Sequence, residues 1–378
     1  MTVALTRRRL LTAALVTGAA VPLAGAGRAR AAPAALRLPR PTGPHLIGTV
    51  PLHLAGRGRE LMISVWYPAA REARRHPVAP WMPAAPMREL LAANGFDPEV
   101  AAAPRTAGHE GAPVLRTSGR LPVVVYSHGA GGHRSETTIA VQELAGHGYV
   151  VVTVDHTGDA YGEFPDGRLV VPGEDVPVTP WDHAHDVRFV LDRLEDLAAG
   201  RNPDADRRPL PAGLGAALDL HRIGMFGWSK GGTATALVMN VDRRVRAGLS
   251  LDGPMESQPP VAALDRPFLL MTAEFTRAAE PAVADFWSLL HGWRRNVQAD
   301  GALHGAYCDH QMLLPQLAGL TGMSDEELAG WIGTLDPARA TRIQQAYPLA
   351  FFDQHLRHRG GHLLDGPSRA FPEVRYLP

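Results

Sequence analysis

A pentapeptide with a serine at its centre is the strongest chemical signal in the sequence. Gly227-Trp228-Ser229-Lys230-Gly231 follows the apolar run Ile223–Phe226 and precedes Thr233–Asn240, which has helical composition. G-x-S-x-G between a strand and a helix is typical of a nucleophile on a strained turn, whose flanking glycines avoid collisions with the strand and helix. We therefore predict that Ser229 is a nucleophile, against the alternative that it only caps the helix.

The orienting acid should follow the nucleophile along the chain. A serine hydroxyl is a weak nucleophile near neutral pH, so it needs a base, and the base needs a carboxylate that orients it. Asp252 directly follows the predicted strand Ala247–Leu251, and catalytic groups of open parallel sheets collect at such strand ends. Asp265 precedes a strand and Asp285 lies in a helix-like segment, so Asp252 is the preferred acid.

The base should be one of three histidines that come later in the chain. His304 lies in a glycine-flanked loop, residues 300–305, where a mobile backbone can deliver an imidazole. His291 falls in a helical segment, and His310 directly follows a residue that looks like a helix N-cap. We predict His304 as the base.

Backbone N–H groups must also stabilise the oxyanion of the transition state. Lys230 follows the nucleophile and supplies one N–H group. The segment Ser127-His128-Gly129-Ala130-Gly131-Gly132 follows the predicted strand Leu121–Tyr126, and its glycines allow close approach of main-chain donors. We predict Ala130 as the second donor. A simple glycine-rich turn is the alternative, and a phosphate-binding loop is not favoured because no G-K-[ST] follows.

The elements that must position these residues alternate between strand and helix. Leu121–Tyr126 and Tyr149–Val154 are unbroken β-branched runs, typical of strands buried on both faces of a parallel sheet. Thr179-Pro180-Trp181-Asp182 is a capping box that begins one helix. Asp336-Pro337 begins the last helix, which Pro348 should kink or interrupt. The predicted fold class is α/β, with a mostly parallel sheet and helices on both of its faces.

The N-terminal half carries further predicted features. His45–His53 and Glu60–Tyr67 alternate apolar and polar residues around a glycine-containing turn, which predicts a β-hairpin. Residues 32–44 are rich in proline, alanine and arginine and are predicted to be a loose arm. We expect a single domain over residues 32–378.

Two stretches of this domain are predicted to be surface insertions, near residues 71–118 and 311–336. Most of the first insertion, residues 81–118, and the whole of the second are candidates for a cover over an apolar acyl pocket.

The first 31 residues are predicted to be a signal peptide of the twin-arginine type. Three arginines, Arg7 to Arg9, precede an apolar run that ends near Ala26, and Ala29-Arg30-Ala31 resembles a cleavage site. Its removal takes away five arginines and leaves 33 basic against 38 acidic groups. We expect a secreted protein; a disordered basic tail is the alternative. The interrupted apolar run is a weak candidate for a membrane anchor.

Composition excludes several functional classes. Lys+Arg and Asp+Glu both total 38, so the basic excess typical of nucleic-acid binding is missing. The single cysteine, Cys308, excludes intramolecular disulfides and a multi-cysteine metal site. His183-Ala184-His185-Asp186 lacks the complete pattern of a metallohydrolase and is predicted to have a surface or supporting role. We expect no metal and no organic cofactor.

Together these motifs resemble the α/β-hydrolase superfamily, and within it the bacterial relatives of plasma-type platelet-activating-factor acetylhydrolase. The resemblance covers most of residues 45–378 and implies the α/β-hydrolase fold and a calcium-independent serine esterase. It implies substrates such as phospholipids with short or oxidised acyl groups, or other lipid esters. By motif position it assigns the triad to Ser229, Asp252 and His304.

The same resemblance assigns the oxyanion donors to Ala130 and Lys230. Two residues depart from the family pattern. Trp228 stands where many relatives have histidine, and Lys230 stands where a hydrophobic residue is common. The lysine cation could favour anionic substrates, or its side chain could point away into the helix.

The sequence thus predicts an exported serine hydrolase that cleaves carboxylic esters through an acyl-enzyme, with possible transient contact with a lipid surface. Three alternatives remain open: a cutinase-like polyester hydrolase, an amidase or peptidase on the same fold, and a non-catalytic binding protein that kept the fold.

Overall fold

A computed structural model describes residues 34–56, 58–173 and 177–378. The predicted signal peptide, residues 1–31, lies outside the described residues. One sheet of twelve strands runs through the described part of the chain, and a two-stranded ribbon accompanies it. The strands of the large sheet are β1 (Ala34–Arg37), β2 (Leu46–Gly56), β3 (Arg59–Ala69), β4 (Val78–Pro80), β5 (Ala101–Glu110), β6 (Leu121–Ser127), β7 (Val150–Asp155), β10 (Leu218–Trp228), β11 (Val245–Leu251), β12 (Phe268–Thr272), β13 (Arg294–Ala299) and β14 (Val374–Leu377). The ribbon pairs β8 (Gly162–Glu163) with β9 (Leu169–Val170).

The large sheet is mostly parallel at its centre. Its strand order is β1-β5-β2-β3-β7-β6-β10-β11-β12-β13-β14, and β4 pairs with β5. All pairs from β7 to β13 along this order are parallel, whereas β3 and β14 are antiparallel to their neighbours β7 and β13. The carboxyl ends of β6, β10, β11 and β12 therefore lie at one edge of the sheet, where the candidate site is found.

Helices cover both faces of this sheet. Those within the described residues are α1 (Ala84–Ala93), α2 (Thr138–Gly146), α3 (Pro180–Ala198), α4 (Leu214–Ala217), α5 (Lys230–Val241), α6 (Pro281–Ser288), α7 (His310–Thr321), α8 (Asp325–Ile332) and α9 (Pro337–Leu356). Side chains of α3, α5 and α6 belong to the apolar core on one face, and those of α2 and α9 belong to the core on the other.

The predicted buried strands form because their side chains are apolar on both faces. Every residue of β6 and of β7 is buried, as expected for strands at the centre of a parallel sheet. Burial of each valine side chain stabilises the fold by roughly 1.5–3 kcal/mol relative to exposure. The predicted β-hairpin is also confirmed, since β2 and β3 pair antiparallel along their full length.

Helix signals in the sequence were mostly reliable. The capping box is confirmed at α3, where the Thr179 side chain accepts from the Asp182 N–H group and the Asp182 side chain accepts from the Thr179 N–H group. The prediction at Pro348 was wrong about interruption, because α9 continues through it as one helix. Pro348 is buried, so tertiary packing against the sheet outweighs the lost backbone hydrogen bond.

The described part of the predicted loose arm is not loose throughout. Ala34–Arg37 forms β1, which pairs parallel to β5 at the edge of the sheet. Sequence patterning missed this strand because a short edge strand buries little apolar surface. In addition, β5 lies within the predicted insertion near residues 71–118 and pairs with β2 in the main sheet.

The two predicted insertions pack against each other in a third apolar cluster. It contains Met87 and Leu91 of α1, Leu313 and Leu317 of α7, and Trp81. Among the described residues, no helix combines the length and apolarity that a membrane crossing requires.

Candidate active site

Ser229 lies on a strained turn between β10 and α5. Its backbone angles are φ 54° and ψ −121°, in a region that residues with side chains rarely occupy. A Cβ atom on Gly227 would lie 2.2 Å from the Gly231 carbonyl oxygen, and one on Gly231 would lie 2.0 Å from the Ser127 carbonyl oxygen. The two glycines of G-x-S-x-G are therefore required by close backbone packing, and the turn holds the serine at the end of β10.

Asp252 and His304 form the hydrogen-bonded pair that the sequence predicts. The His304 Nδ1 atom lies 2.7 Å from Asp252 Oδ2. The Asp252 carboxylate is buried, and its Oδ1 atom accepts from the backbone N–H groups of Ala273 (2.7 Å) and Phe275 (2.9 Å). Because a carboxylate can only accept, the proton of a neutral His304 lies on Nδ1, and Nε2 is left as an acceptor.

Aromatic side chains fix the His304 imidazole on two sides. The Trp228 ring lies tilted against it with ring centroids 4.6 Å apart, and Phe275 contacts it edge-on at 5.0 Å. The Trp228 Nε1–H group donates to the His304 carbonyl oxygen over 2.8 Å, and the His304 N–H group donates to Glu274 Oε1 over 3.0 Å. Trp228, the residue before Ser229, thus links the loop of His304 to the serine turn.

The link between the serine and the histidine is not closed. Among the described residues, Ser229 Oγ makes no hydrogen bond, whereas the bond between His304 and Asp252 is formed. Catalytic hydrogen bonds are often long before substrate binds and tighten in the complex. The assignment of the three residues as a triad stays a prediction.

The other candidate acids and bases from the sequence do not form a carboxylate–histidine pair in the described part of the chain. Asp265 and Asp285 are both exposed, and the Asp265 carboxylate faces arginines on the surface. His291 is also exposed. His310 Nδ1 lies 3.2 Å from the sulfur of Cys308, away from any carboxylate partner among the described residues.

The glycine-rich segment after β6, residues 128–132, is called here the oxyanion loop. The Gly129 N–H group donates to Glu136 Oε1 over 2.9 Å, and the Gly131 N–H group donates to Asp159 Oδ1 over 3.0 Å. Between them, the Ala130 N–H group has no partner within the described residues. The Lys230 N–H group lies in the first turn of α5, where backbone donors lack intrahelical partners. Both predicted donors are therefore available to an oxyanion.

The Lys230 side chain matches neither of the two alternatives from the sequence, a free cation beside the site or a side chain that points away into the helix. It does not run along its own helix, and its Nζ atom donates to Asp159 Oδ2 over 2.6 Å and to the Val178 carbonyl oxygen over 2.7 Å. Because Asp159 neutralises its charge, Lys230 is not a free cation for an anionic substrate.

A buried polar network joins the end of β6 to α3, and the sequence did not predict how its members are connected. The rings of His156 and His183 stack with centroids 3.6 Å apart, and the Ser127 hydroxyl lies 2.8 Å from His156 Nε2. His156 Nδ1 lies 2.9 Å from Asp186 Oδ2, which belongs to a carboxylate also paired with Arg59. Burial, reinforced by the neighbouring His156, holds the pKa of His183 well below its usual value, so that ring is neutral.

The sequence predicts a surface or supporting role for the His183–Asp186 motif. His183 and Asp186 are buried and hydrogen-bonded, which favours the supporting role for these two residues. Among the described residues, no group of histidine, cysteine and carboxylate side chains is arranged to hold a metal ion.

Two buried carboxyl groups, those of Glu136 and Asp309, accept hydrogen bonds near the site. Asp309 accepts from the N–H groups of Thr138 (2.9 Å) and Ile139 (3.0 Å) at the start of α2, and from Trp81 Nε1 (2.8 Å). The sequence suggested that Asp309 caps α7, but its side chain caps α2 instead. Burial raises the pKa of Glu136 to about 8 and that of Asp309 to about 7.

Comparisons with known proteins agree with this geometry. The family model for platelet-activating factor acetylhydrolase, isoform II, matches residues 31–161. The solved structure of a ferulic acid esterase from Streptomyces cinnamoneus is 33% identical, with a TM-score of 0.76 over 91% of this chain and 100% of that one. The chain belongs to the α/β-hydrolase esterases that resemble platelet-activating factor acetylhydrolase. This confirms the predicted fold class, the family and the class of carboxylic ester hydrolases.

Curated relatives of this esterase carry related names. A probable 1-alkyl-2-acetylglycerophosphocholine esterase of Arthroderma benhamiae is 25% identical over 68% of this chain and 66% of that protein. A platelet-activating factor acetylhydrolase of Cavia porcellus is 21% identical over 77% of this chain and 74% of that protein. The match to the fungal relative thus spans about two thirds of its length.

Proposed function

We propose that this esterase hydrolyses carboxylic esters through an acyl-enzyme on Ser229. The Ser229 oxygen bonds to the ester carbonyl carbon while its proton passes to His304 Nε2. Asp252 orients the imidazole and stabilises the imidazolium, and the N–H groups of Ala130 and Lys230 hold the oxyanion. The hydrogen bond between Asp252 and His304, beside a serine on a strained turn, is the observation that carries this proposal.

The second half of the reaction releases the acid. Collapse of the first tetrahedral intermediate breaks the bond to the alcohol, which leaves with the proton from His304. Water then gives a proton to His304 and attacks the acyl carbon. Collapse of this second intermediate frees the carboxylic acid, and His304 returns the proton to Ser229.

For the substrate we propose lipid esters with short acyl groups, in keeping with the names of the curated relatives. Aromatic acyl esters are a second candidate. It is favoured by the aromatic side chains of Trp228 and Phe275 around His304 and by the ferulic acid esterase among the solved structures. Stacking on such rings would contribute about 0.5–1.5 kcal/mol beyond the burial of apolar area.

A substrate panel separates these candidates. We would measure kcat/KM for p-nitrophenyl esters from acetate to palmitate, for an acetylated phospholipid and for methyl ferulate, with Ser229→Ala as the blank. A maximum at acetate with turnover of the phospholipid supports the first candidate, and preference for methyl ferulate supports the second. Equal rates on an anilide would indicate an amidase, and no turnover above the blank would contradict the proposal.

We also propose that the protein is exported after cleavage near Ala31. Support comes from the arginine cluster and the apolar run at the start of the sequence. Expression of the full chain should give a secreted form whose N-terminus lies near residue 32. Replacement of Arg7, Arg8 and Arg9 by lysine should retain the uncleaved form in the cell; unchanged secretion of this variant would contradict twin-arginine export.

A further inference from the structure

We propose that Asp159 is a positioning residue that clamps the oxyanion loop to the nucleophile's helix through the side chain of Lys230. The inference rests on the proposed function and adds a residue that acts through the oxyanion donors rather than on the substrate. Asp159 lies in the loop that follows β7, and its side chain is only 11% exposed.

One carboxylate joins the two segments that carry the predicted oxyanion donors. Asp159 Oδ1 accepts from the Gly131 N–H group over 3.0 Å, and Gly131 directly follows Ala130. Asp159 Oδ2 accepts from Lys230 Nζ over 2.6 Å, and Lys230 carries the other donor on its own backbone. A single side chain therefore bridges the two segments that carry these N–H groups.

Further contacts hold the clamp in place. Lys230 Nζ also donates to the Val178 carbonyl oxygen over 2.7 Å, just before α3. The Nε2 atom of His183, a residue of α3, lies 2.9 Å from Asp159 Oδ2. Because His183 is neutral and buried, it donates one proton to Asp159 without adding charge. The carboxylate thus receives three donors from three different elements, which leaves it little freedom to move.

The charges of the pair explain why a lysine follows the nucleophile. Lys230 is the only lysine in the sequence, and its side chain is 18% exposed. A partly buried ion pair with additional hydrogen bonds is geometrically specific, and loss of one partner leaves the other charge unpaired. The pairing also accounts for a cation next to a site that takes uncharged esters.

Displacement of an oxyanion donor reduces transition-state stabilisation more than substrate binding. Loss of one such donor lowers kcat about 100–1,000-fold in other acyl-transfer enzymes. If the N–H groups of Ala130 and Lys230 become more mobile but both remain, kcat should fall by a smaller factor, about 10–100-fold, with little change in KM.

The test uses Asp159→Asn, Lys230→Met, the double variant and Lys230→Arg, in the full chain. The matched control is Asp166→Asn, a carboxylate nearby in the sequence whose side chain is 66% exposed. For each protein we would measure the unfolding midpoint, kcat and KM on one ester, inhibition by a trifluoromethyl ketone, which forms an oxyanion on Ser229, and labelling by a fluorophosphonate.

Each clamp variant that folds should lose about 10–100-fold in kcat and a similar factor in affinity for the ketone, with KM within about threefold. Lys230→Arg should retain more activity than Lys230→Met. The double variant should be no worse than the worse single variant, because Asp159→Asn and Lys230→Met both break the ion pair between these two side chains. Asp166→Asn should match the wild type.

Folded Asp159→Asn and Lys230→Met variants with kcat and ketone affinity within twofold of the wild type would overturn the clamp. If Asp159→Asn fails to fold, Lys230→Met decides alone, since it leaves the bond between Asp159 and Gly131 in place. Failure of the proposed function looks different, since the wild type would then hydrolyse no ester and Ser229 would not be labelled.

Discussion

Asp252 determines which ring nitrogen of His304 carries the proton. Two backbone N–H groups hold one of its carboxylate oxygens, and the other accepts from His304 Nδ1. Asp252→Asn would favour the wrong tautomer of His304, because the amide can donate to the ring nitrogen. We expect kcat to fall about 1,000–10,000-fold with an unchanged unfolding midpoint. A loss below tenfold, measured by steady-state kinetics on a folded variant, would remove Asp252 from the triad.

Trp228 is a second residue whose substitution is informative. Trp228→Phe keeps a ring against His304 but loses the hydrogen bond to its carbonyl oxygen. A hydrogen bond contributes about 0.5–1.5 kcal/mol, so we expect kcat to fall about 2–10-fold. The matched control is Trp331→Phe on α8, where the tryptophan is 43% exposed. Equal kinetics for both variants would contradict a positioning role for Trp228.

The sequence revealed the residues whose roles are local. Ser229 is predicted from its own pentapeptide, and Asp252 from its place at a strand end. Asp159 was missed because it acts through partners that only the tertiary fold brings near, such as Lys230, which lies 71 residues after it. Spacing in the sequence carries no signal for such a contact.

At the scale of elements, the N-terminus of α2 is capped by the side chain of Asp309, which is distant in sequence. Asp309 accepts hydrogen bonds from two N–H groups of α2 and from Trp81. Asp309→Ala would leave the buried donors of Ile139 and Trp81 unpaired, each costing about 1–3 kcal/mol, whereas the Thr138 N–H group keeps its bond to the Ser135 carbonyl oxygen. We expect the free energy of unfolding to fall by at least about 2 kcal/mol, measured by urea denaturation. Asp309→Asn, which keeps an acceptor, should lose less; equal stability of all three proteins would contradict the capping role.

Elements with local signals were predicted well. The capping box of α3 depends on Thr179 and Asp182, three residues apart, and it is formed as predicted. By contrast, β1 pairs with β5, more than sixty residues away, and its short edge strand has no pattern of its own. Burial of Pro348 likewise outweighs the local tendency of proline to interrupt a helix.

At the scale of the whole molecule, stability should depend on the protonation of Glu136. Because burial raises its pKa to about 8, the folded protein holds a proton that the unfolded chain releases near pH 4–5. The stabilisation is complete at low pH and is lost as pH rises towards 8. Asp309, with a pKa of about 7, contributes with the same sign.

The matched variant is Glu136→Gln. Its amide can still accept from Gly129, and its nitrogen replaces Oε2, which has no partner among the described residues. Between pH 6 and pH 8 the wild type should lose roughly 1–3 kcal/mol more unfolding free energy than this variant, measured by urea denaturation. Parallel pH profiles for the two proteins would show that Glu136 is ionised throughout this range.

The overall architecture could be predicted from the sequence more completely than the packing of its surface elements. Buried β-branched runs such as β6 and β7 indicate a parallel sheet, and the position of G-x-S-x-G after β10 places the site at the carboxyl edge. The packing of the two insertions joins residues of α1 and α7 in one apolar cluster, which no local pattern encodes.

The central claim is that Ser229 is the nucleophile of an ester hydrolase. Its most direct test is stoichiometric labelling with a fluorophosphonate, followed by peptide mass spectrometry and an ester assay on the same sample. The account predicts one label per chain, located on Ser229, and loss of hydrolysis in proportion to labelling, with neither label nor turnover in Ser229→Ala. Full activity in the labelled protein, or in Ser229→Ala, would contradict it.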